Sequence, residues 1–455
     1  MPLDRDSKTP LYLQLYQLLK ASYLPKSGNQ QQLLSIRRMA QTMNVSKTTV
    51  EQAYDQLLAE GYVHTVPGSG YFFNTLKTWP TPVSKSAPMP VSTPPKPVTY
   101  DFRYGATKLL KPSWNAWKKA VRDALRQAEV NPVSYPNAQG LPALRQRLTT
   151  FLRTTRGVQC QPDQIVITTG AKEGLALLLS ILPAGTLGIE NPGYRGLTEL
   201  AAAAGKATVA LPVTTQGVSL AAIKAAQPQY VYTTPAHQFP LGYVLPIAQR
   251  LELLQWAATG SRLVIEDDYD SEYRYHTQPL PALQSVATAD QVAYLGTFAK
   301  GIDPTLRMGY LVLPAHLVAA YHRQYQYHSA MVAGLLQQAM VNYFDSGAYY
   351  RHISRSRGLN RRKYQRLTQL LATTDRIQPI ATGAGLQMVI RIPEISQPAL
   401  LAALIKADIR IYPLESNWQA MPSHDYYLLG FTAVSLADLE VALPRLIAIC
   451  ERLGQ

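Results

Sequence analysis

Gly296–Tyr310 reads GTFAKGIDPTLRMGY. Lys300 follows closely on the apolar run Val292–Leu295, so its amine sits just past the end of a short strand. Such a lysine can form a Schiff base with an aldehyde cofactor. Thr297, three residues before it, and Arg307, seven after, offer a hydroxyl and a guanidinium to a phosphate dianion. The arginine can do so through a charge-assisted bidentate bond. Around this stretch, short apolar runs alternate with helical patterns. Strands are expected at Ile165–Thr168, Leu187–Glu190, Ala207–Leu211, Tyr230–Thr233, Leu263–Glu266, Val292–Leu295 and Gly309–Leu313. Buried parallel strands separated by helices indicate an α/β domain. From about Gln387 the pattern becomes LQMVIRI, DYYLLGFT and a helix starting near Ser435. That reads as a small C-terminal α+β subdomain, beginning somewhere in 340–387.

Two upstream motifs belong with the lysine. IEDDYDSEYRY (Ile265–Tyr275) ends one strand, and an aspartate there can pair with a protonated pyridine nitrogen. ITTGAKEGL (Ile167–Leu175) ends another strand and opens a helix at Gly170. The amides of Gly170, Ala171 and Lys172 would then face a phosphate at the positive end of that helix.

Toward the N-terminus, Leu76–Val98 carries seven prolines among Ser, Thr and Lys. Proline lacks the amide donor that a helix or central strand needs, so 76–98 reads as an extended linker. It separates a segment 1–75 from a segment 99–455. In the first, Leu11, Leu15, Leu18 and Leu19 have helical spacing, and shorter helices are expected at Ile36–Met43 and Thr48–Glu60. Val50, Ala53, Tyr54, Leu57 and Leu58 mark an apolar face, with Ser46 as N-cap and Gly61 as the stop. The tight turn Met43–Ser46 between the two helices makes a helix-turn-helix, whose second helix presents its N-terminal residues to base edges. Those are Ser46, Lys47, Thr48 and Thr49, with Arg37 placed for the backbone. YVHTVPGSGYFF follows as a hairpin whose tip, Gly68, Ser69 and Gly70, would be a wing against the phosphates.

The chain has 455 residues, 47% of them hydrophobic and 16% charged, a globular composition large enough for more than one core. The formal net charge of +15 suits a nucleic-acid partner. Yet residues 1–75 hold seven Lys/Arg against five Asp/Glu, an excess of only two. Part of the remainder lies in Arg351, Arg355, Arg357, Arg361, Arg362, Lys363 and Arg366, which reads as a solvated helix face or, as the alternative, a phosphate-contacting surface on the larger segment. Cys160 and Cys450 are too few for a disulfide framework or a zinc finger, and no metal site is expected. No apolar run is long enough to span a bilayer, and Met1–Lys8 lacks the apolar core of a signal peptide. The expected location is the cytoplasm.

Pro10–Phe73 resembles the GntR-type winged helix, with Leu34 where that family often has proline and Lys47 where it often has arginine. From about Asp101 onward the motifs resemble fold-type I enzymes that use pyridoxal 5'-phosphate, the aspartate aminotransferase group. Together with TPAHQFP, EDDYDSEYRY and GTFAK, the combination resembles the MocR family of bacterial regulators across nearly the whole chain. The resemblance implies a winged helix-turn-helix joined to an α/β type I transferase fold, DNA as partner, and a homodimer. It implies Lys300 as the Schiff-base lysine, Asp267 as the partner of the pyridine nitrogen, and Tyr269 on the ring oxygen. Tyr194, in ENPGYRG, would flank the ring, and Tyr135, in YPNAQGLPALR, would reach a neighbouring subunit's phosphate. There are departures. Phe239 stands where these enzymes have the asparagine that bonds the ring oxygen, leaving His237 or Gln238 to substitute; Ala299 replaces a common serine. Leu428 stands at the place of the arginine that binds a substrate carboxylate, with Arg410 and Arg391 as candidates to replace it. The expected function is a regulator responding to pyridoxal phosphate itself, hence vitamin B6 control, or to an amino compound forming an external aldimine. The alternative is a working aminotransferase with an accessory DNA-binding head.

Overall fold

Helix α1 (Leu11–Tyr23), α2 (Ile36–Met43) and α3 (Lys47–Ala59) precede the hairpin β1 (Val63–Val66) and β2 (Gly70–Phe73). The computed structural model describes residues 3–23, 31–74, 97–105, 110–130, 137–288, 290–380, 383–419 and 424–454. It divides into two units, Met1–Pro95 and Lys96–Gln455. Residues 76–96 of the proline-rich stretch lie outside the described residues.

In the first unit, Ser46 caps α3 by accepting a hydrogen bond from the Thr49 amide at 3.1 Å. Such a cap contributes about 1 kcal/mol. Val50, Ala53, Tyr54 and Leu57 are buried against Leu15, Met39 and Val63, each large side chain worth roughly 2 kcal/mol of transfer free energy. Leu58, expected on the same face, is exposed. Asn44 ends α2 in the left-handed conformation, which turns the chain tightly into α3. Lys20 and the Tyr16 hydroxyl both reach Glu60, at 3.1 and 2.6 Å, tying α1 to the end of α3.

The second unit opens with β3 (Tyr100–Asp101). Its large sheet uses β4 (Ile165–Thr168), β5 (Thr186–Asn191), β6 (Ala207–Thr214), β7 (Gly217–Val218), β8 (Tyr230–Thr233), β9 (Leu263–Asp268), β10 (Val292–Thr297) and β11 (Gly309–Val312). The order is β4-β11-β10-β9-β8-β5-β6-β7. The short runs with every residue buried, as in β4, β8 and β11, are what helices on both sheet faces demand. One expectation needs correcting: β11 runs antiparallel to both its neighbours, so the sheet is mixed. The reason is the connection. Only residues 298–308, with a single 3-10 turn at Pro304–Leu306, join β10 to β11, and a parallel return needs a longer crossover.

A four-stranded antiparallel sheet follows, β12 (Gln378–Ile380), β13 (Gln387–Arg391), β15 (Tyr412–Pro413) and β16 (Tyr426–Gly430), while β14 (Ile409–Arg410) pairs with β3. Its core includes Met388, Ile390, Tyr427, Leu429, Leu443 and Leu446. The basic run falls on the helix Ala348–Leu371 and is not one solvated face. Lys363 is buried and donates to the Thr432 carbonyl at 2.6 Å, and Arg366 pairs with Glu440, while Arg355, Arg361 and Arg362 are exposed. Cys160 is half-buried and Cys450 buried, both as free thiols. Among the described residues no helix is long and apolar enough to cross a membrane.

Candidate cofactor site and DNA-reading surface

Strands β4, β5, β8, β9 and β10 run the same way, so their C-terminal ends open together, the usual ligand position in such sheets. A cavity there is walled by Ala171, Lys172, Thr297, Pro304 and Arg307 at one end, and by Tyr104, Tyr194, Thr234 and Phe239 at the other. Tyr232, Asp267, Tyr269, Ala299 and Lys300 also line it.

The Lys300 amine stands 3.7 Å over the Tyr104 ring. Burial pushes its pKa down to about 8, with Asp270 acting in the opposite sense. An amine with that pKa has a substantial neutral fraction near physiological pH, and that fraction is a usable nucleophile. Gly105, at φ +77°, lies so close that a Cβ there would be 2.6 Å from the Lys300 Nζ.

The three aspartates of the DDYD stretch have separate fates. Asp268 is buried against Arg156 at 2.6 Å and accepts a short bond from the Tyr294 hydroxyl. Asp270 is buried beside the His237 Nδ1 at 2.9 Å. Asp267 alone lines the cavity. Its Oδ2 accepts a short bond from the Tyr232 hydroxyl, while its Oδ1 is buried with no hydrogen-bond partner among the described residues. Burial raises its pKa to about 7; the Tyr232 bond opposes this, and Asp268, Glu190 and Asp270 add to it. A buried carboxylate oxygen without a partner is costly unless a donor or cation completes it.

The helix Ala171–Ile181 begins at the N-cap Gly170, φ +145°. A Cβ on Gly170 would lie 3.3 Å from the Arg307 guanidinium, so glycine permits that approach. Arg307 itself adopts φ +46°, a left-handed conformation uncommon for a side-chain-bearing residue, and its Nη2 lies 3.1 Å from Glu173 Oε1. Thr297 lines the cavity, and its hydroxyl accepts from the Ala299 amide at 3.1 Å.

Tyr269 and Tyr194 both line the cavity. His237 does not: it is buried behind Tyr269, its Nδ1 3.0 Å from the tyrosine hydroxyl and shared with Asp270. Gln238 is turned away, donating to the Pro192 carbonyl at 2.9 Å. Phe239 and Thr234 therefore form the wall where the substitute was sought. Tyr135 lies outside the described residues. Neither proposed arginine lines the cavity: Arg391 pairs with Asp425 at 2.6 Å and Arg410 with Asp101 at 3.7 Å. Leu428 is buried with Leu241, Val389 and Leu414, and this apolar cluster backs Tyr104 and Phe239. Sequence reasoning missed Tyr104, Tyr232 and Glu173. Tyr232, at the C-terminal end of a strand in this sheet, carried a usable positional signal; Tyr104 carried none.

On the first unit, Arg37, Ser46, Lys47 and Thr48 are exposed and Thr49 is half-buried at the start of α3. Gly68, Ser69 and Gly70 are exposed at the hairpin tip, with Val66 opposite Gly70 in the ladder. This is the arrangement of a helix-turn-helix with a wing.

The cavity's chemistry fits pyridoxal 5'-phosphate: an amine for its aldehyde, an unpaired buried carboxylate for its ring nitrogen, and cations with a helix start for its phosphate. Residues 99–418 match the family described as aminotransferase class I and II, and residues 11–73 match the bacterial regulatory proteins of the gntR family. The chain is 32% identical to the HTH-type transcriptional regulator YdeL of Bacillus subtilis, over 98% of this chain and 97% of that one. It is 30% identical to the probable rhizopine catabolism regulatory protein MocR of Rhizobium meliloti, over 95% and 92%. It is 31% identical to the pyridoxine biosynthesis transcriptional regulator PdxR of Corynebacterium glutamicum, over 88% and 86%. Among solved structures, the α-aminoadipate aminotransferase LysN of Thermus thermophilus shares the fold, with a TM-score of 0.68, 21% identity, and coverage of 78% of this chain and 92% of that one. The family implies pyridoxal phosphate as cofactor. The chain belongs to the MocR/PdxR-type transcriptional regulators, with a gntR-family winged helix joined to an aminotransferase-like domain.

Proposed function

We propose that this regulator works as a cytoplasmic homodimer whose effector is pyridoxal 5'-phosphate itself. The carrying observation is the asymmetry of the cavity. Lys300 and the Asp267 oxygen without a described partner stand ready for an aldehyde and a ring cation, while Tyr104 and Phe239 wall the cavity against an apolar cluster that holds Leu428, the residue standing where the resemblance expects a carboxylate-binding arginine. An amino acid whose carboxylate entered against the Tyr104 and Phe239 rings would desolvate that carboxylate, at a cost of several kcal/mol. The likeness to a regulator of pyridoxine biosynthesis points the same way.

When bound, the cofactor supplies an electrophilic aldehyde and a protonatable ring. Lys300 is the residue that would hold it covalently. Asp267, oriented by the Tyr232 hydroxyl, would keep the ring proton in place. Tyr269, set by His237 and Asp270, would bond the ring oxygen, and Tyr194 would flank the ring. Thr297, Arg307 and the amides of Gly170, Ala171 and Lys172 would hold the phosphate. Ser46, Lys47, Thr48 and Thr49 would reach base edges and phosphates, with Arg37 and the Gly68–Gly70 tip on the backbone. In a dimer, two such heads, each tethered by residues 76–98 to its segment 99–455, would meet two half-sites. Occupancy at Lys300 would alter the freedom of the heads, and operator binding must then alter cofactor affinity by the same factor.

The test is operator binding by the full chain, with and without pyridoxal phosphate, at fixed salt because phosphate contacts dominate affinity. A change in operator affinity of fivefold or more, within the usual range of allosteric coupling, is expected. Identical binding in both states, with a response to an amino acid instead, overturns the assignment. Sustained conversion of an amino acid and keto acid pair would favour the aminotransferase reading.

A further inference from the structure

We infer that Glu173 competes with the cofactor's phosphate for Arg307 and so lowers the site's affinity for phosphate-bearing pyridoxal derivatives. This rests on the proposed reading of the cavity. Three groups converge where the helix Ala171–Ile181 begins: its opening amides, the Arg307 guanidinium and the Glu173 carboxylate. Glu173 Oε1 lies 3.1 Å from the Arg307 Nη2. Its other oxygen, Oε2, is buried with no hydrogen-bond partner among the described residues, and lies 3.0 Å from where a Cβ on Gly170 would stand. The carboxylate therefore sits at the helix start itself rather than out in solvent.

The charge balance makes this consequential. Leaving aside Lys300, which would take the aldehyde, Lys172 and Arg307 are the cations that the described residues lining the cavity offer to a phosphate, and Glu173 offsets one of them. A phosphate monoester carries a charge of about −1.5 to −2 at neutral pH. It would meet one net positive charge instead of two, and would have to break the Glu173–Arg307 pair to use the guanidinium. The sequence AKEG puts the acid in the first turn, where a side chain reaches back to the same positive helix end that the phosphate needs. Weaker phosphate binding suits an effector site, which must empty as well as fill, better than a permanent prosthetic site.

A carboxylate in the first turn of a helix also has a bland role, stabilising the helix through its dipole. That role alone predicts a stability loss on substitution with no selectivity for phosphate. The experiment is therefore calorimetric titration of the full-length protein with pyridoxal 5'-phosphate and, separately, with phosphate-free pyridoxal. For Glu173→Gln, pyridoxal phosphate should bind roughly fivefold tighter than in the wild type, the scale of a half-exposed ion pair, while pyridoxal binding stays the same. Glu173→Asp, which keeps the charge, should shift the ratio of the two affinities less than the Gln variant does. Glu173→Ala carries the same expectation as Gln if the latter fails to fold. Unchanged or weaker pyridoxal phosphate binding in the neutral variants overturns the inference, as does an equal shift for both ligands. No binding of pyridoxal phosphate by the wild type overturns the proposed function along with it, so the two failures are distinguishable.

Discussion

The two ends of the cavity are built from opposite materials. At one end, Lys172, Arg307 and a helix start gather positive charge. At the other, Tyr104 and Phe239, 5.3 Å apart between ring centroids, are backed by Leu428, Leu241, Val389 and Leu414. The first end has the means to bind an anion and the second has not. In a fold that serves many chemistries, such local contrasts carry the functional reading, because the fold alone does not. Here they favour a ligand with one anionic end, which pyridoxal phosphate has; a bound amino acid would add its carboxylate as a second anionic group.

If the apolar end is structural, Leu428→Ala should cost about 2–4 kcal/mol in unfolding free energy, as expected for a buried leucine. Chemical denaturation would measure this. Pyridoxal phosphate affinity should change little, and a large affinity loss without a stability loss would break the contrast. If the polar end is functional, Arg307→Ala should weaken pyridoxal phosphate binding roughly tenfold to hundredfold, the worth of a charge-assisted hydrogen bond. Phosphate-free pyridoxal, titrated alongside, should be unaffected.

Between the ends, Lys300 gives a pH signature. Its pKa is lowered to about 8 by burial, so the neutral, nucleophilic amine grows as pH rises toward that value. The rate of cofactor capture, followed by stopped-flow absorbance, should climb roughly tenfold per unit below pH 8 and level off above it. A flat profile would place the controlling ionisation elsewhere. The smallest effect is expected from Tyr232→Phe. Losing that donor removes the bond that holds the Asp267 pKa down, so ionisation moves to higher pH. Pyridoxal phosphate affinity at neutral pH should fall about three- to tenfold and recover partly as pH is raised.

Much of this was readable from the chain. The wing, the recognition helix and its Ser46 cap follow from local spacing and turn chemistry, which act over a few residues. The strands were readable too, because buried strands are continuous apolar runs, and so were Lys300 and Arg307, since both lie in one loop between two strands. The antiparallel course of β11 was not: an apolar run has no direction, and the length of the connection had to decide it. Nor did the sequence tell Asp267 from Asp268 and Asp270 except by resemblance. Arg156 and His237, each dozens of residues away, take two of the three and leave the first with a free oxygen.

Composition and spacing by themselves determined that the chain has a helix-turn-helix with a wing, a proline-rich stretch and an α/β domain with Lys300 just past the end of a strand. Those features depend on periodicity and on residues close in sequence. What only the tertiary structure decided is which side chains share the cavity: Tyr104 over Lys300, Tyr232 on Asp267, Glu173 on Arg307, and His237 behind the wall instead of in it. His237 and Tyr269 are 32 positions apart, Tyr232 and Asp267 35, Glu173 and Arg307 134, and Tyr104 and Lys300 nearly two hundred, and such distances are closed by the packing of the core, not by any local pattern.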